Sequence, residues 1–333
     1  MAIYNPSTLE NDEIFMRRCI ELARNGVSGA APNPMVGAVI VHNGRIIGEG
    51  YHRKCGGPHA EVNAIRSVRH PELLPESTIY VSLEPCAHYG KTPPCADLIV
   101  EKRIPRVVVG CRDPFAKVDG LGIKKLQDAG CDVTVGVLEK ECRELNRHFM
   151  TYHTHHRPYI ILKWAQSSDG FMGGVPGGAP VRFSTPLTQT LVHQLRAHCD
   201  AILVGGGTVV ADNPSLTTRM WHGKNPLRVV VDTHDNLSAD LKIFNDEAET
   251  LVWRNWDLQL LMKDLHGRKV QTLLVEGGAH ILQRFIDAGL WDEVRVETAP
   301  CVLGDGVVAP RVPQGQLMRS AQYGENRIAV WYS

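Results

Sequence analysis

The chain has no excess of charge of either sign. Lys plus Arg and Asp plus Glu stand at 36 each in 333 residues, so no global field draws it to nucleic acid or an anionic membrane. It has no apolar run near the roughly 18–20 residues that span a bilayer. Its opening stretch, MAIYNPSTLENDEIF, has neither the basic nor the apolar region of a secretory signal. It also shows no disulfide framework. Nine cysteines are scattered at 19, 55, 86, 95, 111, 131, 142, 199 and 301, an odd number in a long chain, which favours reduced thiols used as small apolar residues. What remains is a soluble, cytoplasmic protein with an ordinary balance of 43% hydrophobic and 22% charged residues. Its length calls for roughly two domains.

Hydrophobic periodicity predicts alternating elements. Residues 12–24 place Ile14, Phe15, Cys19 and Leu22 at helical spacing. VGAVIVHNGRIIGEGYH reads as two strands joined by an Asn43-Gly44 type I′ turn. HAEVNAIRSV is a helix, STIYVSLEP a strand, CADLIVEKR a short helix, RVVVG a buried strand, GIKKLQDAG a helix and CDVTVGV a strand. Strands alternating with helices imply an α/β sheet covered on both faces. TYHTHHRP (151–158) breaks the rhythm and reads as a solvated linker, its three histidines being the alternative metal cluster. A second alternation follows, through YIILKWA, LTQTLVHQLRAH, AILVGGGT, LRVVVD, ETLVW, DLQLLMKDL, TLLVEGG, AHILQRFIDAG and EVRVETAP. It repeats no motif of the first, so it is a different α/β domain. The expected division is 1–150, a linker over 151–158, and 159–333.

Three short motifs carry the chemistry of the first half. His59-Ala60-Glu61 opens a predicted helix, Pro85-Cys86 follows a strand, and Pro94-Cys95 opens the next helix. One His and two Cys make three zinc ligands and leave the fourth position to water, as a catalytic site requires. Helix N-termini and the metal would both lower the thiol pKa. Glu61 reaches the water without ligating, which is the H-x-E…P-C arrangement of zinc deaminases. The alternative is a four-ligand structural site with Cys55 as the fourth ligand, which would leave Glu61 without a role.

PNPMVGAVIV (32–41), GYH (50–52), GGPHAEVNA (56–64), YVSLEPCAHYGKTPPCADLI (80–99) and DAGCDVTVGV (128–137) resemble the deaminase half of the bacterial bifunctional riboflavin-biosynthesis deaminase/reductases. The eight-residue spacing between Cys86 and Cys95 separates this family from cytidine and tRNA deaminases, which usually have P-C-x-x-C. The resemblance implies substrate contacts at Asn33, His88 and Thr92. One departure is visible: Asp113-Pro114 is followed by Phe115-Ala116 where the family usually has Asn-Pro.

In the second half, the Gly205-Gly206-Gly207 and Glu276-Gly277-Gly278 turns each link a strand to a helix. Such turns let backbone amides approach a phosphate, or are simply tight connections. They are not a dinucleotide fingerprint, since the third glycine of G-x-G-x-x-G falls on Val210. Arg196 and Arg219 suit a sugar phosphate or, read singly, a solvated surface. LKWAQSSDG (162–170), LRAHCDAILVGGGTVVADNPSLTTR (195–219), PLRVVVD (226–232) and TLLVEGGAHILQRFI (272–286) are similar to the same family's reductase half. That resemblance implies NADPH contacts at Ala165, Thr208, Asp212, Gly277 and Gly278, and substrate contacts at Arg196, Leu216, Arg219 and Glu276. Here too there is a departure: GGAPVRFST stands where the family commonly has G-E-S-x-W-I-S, putting Pro180 and Arg182 in the positions of a Ser and a Trp.

The resemblance therefore implies a cytidine-deaminase-like three-layer α/β/α domain followed by a dihydrofolate-reductase-like α/β domain. It implies Zn2+ and NADPH as cofactors, and a phosphoribosyl-pyrimidine as the small-molecule substrate. Deamination of 2,5-diamino-6-(5-phosphoribosylamino)pyrimidin-4-one would precede reduction of its ribosyl group to ribityl. A homo-oligomer without nucleic-acid or membrane partners is the expected assembly. The rivals are a deaminase whose second domain only binds or oligomerises, a nucleic-acid base deaminase, disfavoured by the zero net charge, and a zinc-stapled protein with no activity.

Overall fold

The computed structural model describes residues 9–333 except 90–92, 116–117, 176 and 180. It divides into two units, Met1–His155 and His156–Ser333. Among the described residues no helix is long and apolar enough to cross a membrane.

Unit 1 contains α1 (Leu9–Arg24), β1 (Gly37–His42), β2 (Arg45–Tyr51), α2 (Ala60–Ser67), β3 (Thr78–Leu83), α3 (Cys95–Glu101), β4 (Arg106–Cys111), α4 (Leu121–Asp128), β5 (Asp132–Val135), α5 (Glu139–Leu145) and α6 (Arg147–His155). Its sheet runs β2-β1-β3-β4-β5. The β1 strand is antiparallel to both neighbours, and β3, β4 and β5 are parallel. The Asn43-Gly44 turn has both residues at positive φ, 48° and 71°, as a type I′ hairpin requires. The period-2 alternation of the strands sorts side chains to two faces. Ala38, Ile40, Ile79, Val81, Val107 and Val109 pack under α2 and α3, whereas Val39, Val41, Tyr80 and Val108 pack against α1 and Cys142 of α5. The result is three layers. Gly50 lets α2 lie directly on β2, since a Cβ there would fall 2.3 Å from the backbone nitrogen of Ala64. Across the sheet, Arg106 meets Asp12 at 2.8 Å, and Tyr80 donates to the same carboxylate at 2.8 Å. This largely buried pair ties α1 to β4.

The division between the two units falls inside 151–158, the stretch expected as a linker, but its first part is helical and not irregular. It continues α6 as far as His155. The ring of His153 packs 4.3 Å from Phe149 and 5.1 Å from Phe115, centroid to centroid, so an aromatic contact replaces solvation at this histidine, while His155 and His156 are exposed.

Unit 2 contains β6 (Tyr159–Gln166), β7 (Phe171–Gly173), α7 (Pro186–His198), β8 (Ala201–Gly205), α8 (Gly206–Asp212), β9 (Leu227–Val231), β10 (Thr250–Trp253), α9 (Leu258–Gly267), β11 (Thr272–Val275), α10 (Ala279–Asp287), β12 (Glu293–Thr298), β13 (Val307–Val308), β14 (Gln316–Tyr323) and β15 (Asn326–Tyr332). Its main sheet runs β10-β9-β8-β11-β6-β12-β15-β14. The first six strands are parallel, and β15 and β14 are antiparallel. Ile160, Leu162, Leu203, Val229 and Val275 face α9 and α10. Tyr159, Ile161, Ile202, Val204 and Val230 face α7 and α8. Thr185 caps α7 with a reciprocal capping box. Asp292 binds Arg157 through both oxygens, at 2.6 and 2.9 Å, and accepts from the Ile160 N–H at 2.8 Å. That pins the start of β6 beside β12. All six parallel strands end on the same edge of the sheet, where a ligand crevice forms in such folds.

Candidate active sites

In unit 1 the carboxyl end of β3 meets the N-termini of α2 and α3. His59 is the N-cap residue of α2, and Glu61 lies in its first turn. Cys95 is the first residue of α3, and its backbone N–H donates to the Cys86 sulfur at 3.3 Å. The positive end of α3 is thus turned on Cys86. The His59 Nδ1 lies 3.6 Å from the Cys86 sulfur and 3.4 Å from the Cys95 sulfur. A tetrahedral zinc with bonds of about 2.3 Å to sulfur and about 2.0 Å to nitrogen separates such atoms by about 3.5 Å. The donor set therefore fits zinc. Among the described residues His59, Cys86 and Cys95 are the one group of His, Cys, Asp and Glu close enough to hold an ion. Cys55 is exposed and outside it, which removes the fourth ligand that a structural site would need.

The Glu61 carboxyl is 3% exposed. Burial, reinforced by the neighbouring Cys86 thiolate, pushes it up to about 7, the range in which one carboxyl both accepts and donates a proton near neutrality. The Cys95 side chain, donating to Cys86, draws the Cys86 thiol down to about 4. His59 is raised, first by its hydrogen bond with Cys86.

Two residues outside the sequence-derived set organise this site. His52 bridges Asn33, 3.2 Å from its Nε2, and the carbonyl of Pro58, 3.2 Å from its Nδ1. Its ring stands edge-on to His59 at 5.3 Å. Asn33 is thereby joined to the metal ligands, and the GYH motif is the signal that marks His52. Glu84 is 4% exposed and accepts four backbone N–H groups, from Asp113 (3.3 Å), Gly120 (3.1 Å), Gly122 (2.9 Å) and Ile123 (3.2 Å). It clamps the loop after β4 and the start of α4 onto the segment that carries Cys86. Gly122 permits the contact, since a Cβ there would lie 1.9 Å from the Pro85 carbonyl. Glu84 lies within the YVSLEPC motif, but its role could not be read there, because its hydrogen-bond partners are backbone groups distant in sequence. His88 follows Cys86 by two residues, with its Nδ1 buried and without a hydrogen-bond partner among the described residues. Thr92 lies outside the described residues.

In unit 2 the two glycine turns come together. The Gly278 N–H donates to the Thr208 hydroxyl at 3.0 Å, and a Cβ on Gly277 would lie 2.1 Å from the Ile281 Cγ2 and 3.6 Å from the Gly205 nitrogen. Ala165 sits on β6 opposite Glu297 of β12, and Asp212 is exposed at the end of α8. This bare backbone cradle at the start of α10 fits a cofactor phosphate.

Arg196 and Arg219 do not play equivalent parts. Arg196 binds Glu276 at 2.6 Å and reaches the Thr217 carbonyl at 3.4 Å. The exposed Arg219 donates to the Thr217 hydroxyl at 3.0 Å, and its backbone N–H donates to His193 at 3.1 Å. Leu216, buried at a φ of 53°, begins this turn. Burial opposes ionisation of Glu276, but Arg196 and Lys163 overcome it and hold the carboxyl below its usual range. Lys163, on β6, belongs to this site although no motif in the sequence singles it out.

Residues 158–329 match the family described as the RibD C-terminal domain, and residues 9–111 match the cytidine and deoxycytidylate deaminase zinc-binding region. The chain belongs to the RibD family. The riboflavin biosynthesis protein RibD of Aquifex aeolicus (strain VF5) is 38% identical over 90% of this chain and 89% of its own length. That of Escherichia coli (strain K12) is 36% identical over 88% and 89%. A diaminohydroxyphosphoribosylaminopyrimidine deaminase/5-amino-6-(5-phosphoribosylamino)uracil reductase from Thermotoga maritima superposes with a TM-score of 0.86 at 35% identity, covering 97% of this chain and 99% of that one. Acinetobacter baumannii RibD gives 0.87 at 32%, covering 98% and 99%. The chain is thus a bifunctional enzyme of riboflavin biosynthesis, a zinc-dependent deaminase of cytidine-deaminase-like fold joined to an NADPH-dependent reductase of dihydrofolate-reductase-like fold.

Proposed function

We propose that unit 1 hydrolytically deaminates 2,5-diamino-6-(5-phosphoribosylamino)pyrimidin-4-one, and that unit 2 then reduces the ribosyl group of the product to ribityl. The observation that carries the reading is the zinc-compatible spacing of His59, Cys86 and Cys95, with a buried carboxyl beside them. Zinc held by these three side chains supplies the electrophilic pull that acidifies a water. Glu61 takes the proton of the water that adds to the amine-bearing ring carbon and passes it to the departing nitrogen. Water is consumed and ammonia released. Asn33, oriented by His52, together with His88 and Thr92, binds the substrate.

In unit 2 NADPH supplies the hydride. The Thr208, Gly277 and Gly278 cradle holds its phosphates, with Ala165 and Asp212 as further contacts. The Oε1 of Glu276, buried and without a hydrogen-bond partner among the described residues, is an acceptor waiting for a donor, and a sugar hydroxyl satisfies it. Arg196 and Lys163 keep Glu276 ionised for that purpose. Arg219 meets the substrate phosphate, and Leu216 shapes the turn beside it.

The enzyme works in the cytoplasm on a small molecule, without nucleic acid, which its zero net charge supports. It is a homo-oligomer, supported by the exposed edge strand β14 with Leu317 54% and Met318 44% accessible; analytical ultracentrifugation tests the assembly. Incubating the purified protein with the diaminopyrimidinone phosphate tests the chemistry. Ammonia release without NADPH, followed by NADPH oxidation dependent on that release, is the expected result. Ammonia release with no oxidation would leave unit 2 as a binding module, and no release at all would overturn the deaminase reading.

A further inference from the structure

Phe115 stands in the loop after β4, where the sequence departs from its family. Its backbone is fixed. The Phe115 N–H donates to Asp113 Oδ1 at 2.8 Å, its carbonyl accepts from Val118 at 2.7 Å and Asp119 at 3.1 Å, and the Asp113 N–H is held by Glu84 at 3.3 Å. Its ring is backed by His153, 5.1 Å away, which packs in turn on Phe149 at 4.3 Å and Tyr152 at 5.0 Å. The same Phe115 ring meets the imidazole of His88 edge-on, at 6.0 Å and 73°. The Nδ1 of His88 is buried with no hydrogen-bond partner among the described residues; that is costly, and a free imidazole would turn to regain a partner. Some contact has to hold the ring against that rotation, and Phe115 is the aromatic group against it.

We propose that Phe115 is a positioning residue of the deaminase pocket: it holds the His88 ring so that Nε2 alone is open to the substrate's polar atoms, and His153 and Phe149 brace it from α6. The inference rests on the deaminase reading of unit 1 and assigns a role to two features left over by the zinc chemistry, the Phe115 departure and the histidine-rich end of α6.

The test uses the full-length, zinc-loaded enzyme with Phe115→Leu, which keeps apolar bulk without a ring, and Phe115→Tyr, which keeps the ring. An edge-to-face contact is worth roughly a three- to tenfold effect. Phe115→Leu is expected to raise the deaminase KM about that much with kcat within about twofold, because a binding contact is weakened uniformly. Zinc content is expected to stay unchanged. In selectively labelled protein the His88 imidazole resonances, assigned with His88→Gln, should shift in Phe115→Leu and return in Phe115→Tyr. His153→Leu should move them the same way by a smaller amount and keeps the test alive if Phe115→Leu does not fold. Unmoved His88 resonances, or a KM defect that Phe115→Tyr fails to restore, overturns the proposal. If the parent enzyme releases no ammonia, the deaminase reading fails while the resonances still decide the ring contact.

Discussion

Arg196 places its guanidinium 2.6 Å from Oε2 of Glu276, while Oε1 of the same carboxylate is buried with no hydrogen-bond partner among the described residues. The arginine neutralises the acid without saturating it. The two arginines of this crevice should therefore fail differently. Arg196→Ala takes away the hydrogen-bonded partner of a buried carboxylate, leaving Lys163 to offset its charge, and should cost up to about 3–5 kcal/mol of stability, visible as a lower midpoint in urea. Arg219→Ala removes an exposed cation, so it should leave the midpoint in place. It should lower the reductase kcat/KM by roughly ten- to hundredfold, as expected for a charge-assisted contact of about 1.5–3 kcal/mol. Ammonia release should be unaffected by Arg219→Ala. An unchanged reductase kcat/KM in that variant would remove Arg219 from the phosphate site.

Glu61→Gln should keep stoichiometric zinc and abolish deamination, because it leaves the ligands intact and removes the proton carrier. His59→Ala, Cys86→Ser and Cys95→Ser should each lose the metal, read by elemental analysis. In metal-free protein Glu61 also imposes a pH dependence. Burial raises its folded pKa to about 7, above the ordinary glutamate value of about 4.5, so the folded state binds the extra proton between these values. Its stabilising contribution is complete below about pH 4.5 and is lost as pH rises through about 7. Subtracting the Glu61→Gln unfolding profile from the parent profile removes the effect of Asp113, whose carboxyl burial pushes up to about 6. The difference should fall by about 3 kcal/mol across that window. A flat difference would mean that Glu61 is not buried as its surroundings suggest.

What could be read from the sequence followed from how local each signal was. His59, Glu61, Cys86 and Cys95 are rare residue types in short motifs, each next to a predicted helix start, so their meeting point was legible before any fold. The hydrophobic strands were legible for the same reason. The final hairpin was not: β14 is QLMRSAQY, exposed along most of its length and poor in β-branched residues. Its partner and the Gly324 turn, at a φ of 65°, give it strand structure that propensity does not. The helices α5 and α6 were hidden by polar residues, and α6 is held in part by one ring contact to a loop some forty residues earlier. Glu84 and the Arg196–Glu276 pair depend on partners distant in sequence, and periodicity carries no information about those.

The boundary of unit 1 makes a direct test of that helix. A fragment ending at residue 150 cuts α6 in the middle and removes His153 with its contacts to Phe115 and Phe149. A fragment ending at 155 keeps them. Both should fold around the same sheet and bind zinc, but the longer one should bind the diaminopyrimidinone phosphate more tightly and melt at a higher temperature. Insolubility of both fragments would show that unit 1 does not fold alone.

The segment over 178–184 carries Pro180 and Arg182, the departure that the sequence resemblance implies. Pro180 lies outside the described residues, but the far end of the segment is anchored. Asn326 of β15 donates to the Phe183 carbonyl at 2.8 Å and to Glu297 of β12 at 2.6 Å, and the Ser184 hydroxyl donates to Glu297 at 2.7 Å. Glu297 lies opposite Ala165 in the sheet, so the altered segment ends at the carboxyl edge of β6 and β12, where the cofactor contacts are proposed. Arg182, exposed one residue before that anchor, presents a guanidinium, which stacks on a planar ring and binds a phosphate equally well. NADPH should therefore bind, and calorimetric titration should show Arg182→Ala weakening NADPH by roughly tenfold or more while leaving NADH affinity nearly unchanged, because the two cofactors differ only in the 2′-phosphate. Asn326→Leu, which frees the anchor, should weaken both cofactors alike. Equal losses in Arg182→Ala would place the guanidinium on the shared part of the cofactor, and no binding at millimolar NADPH would mean that the second unit keeps the crevice but not the reductase.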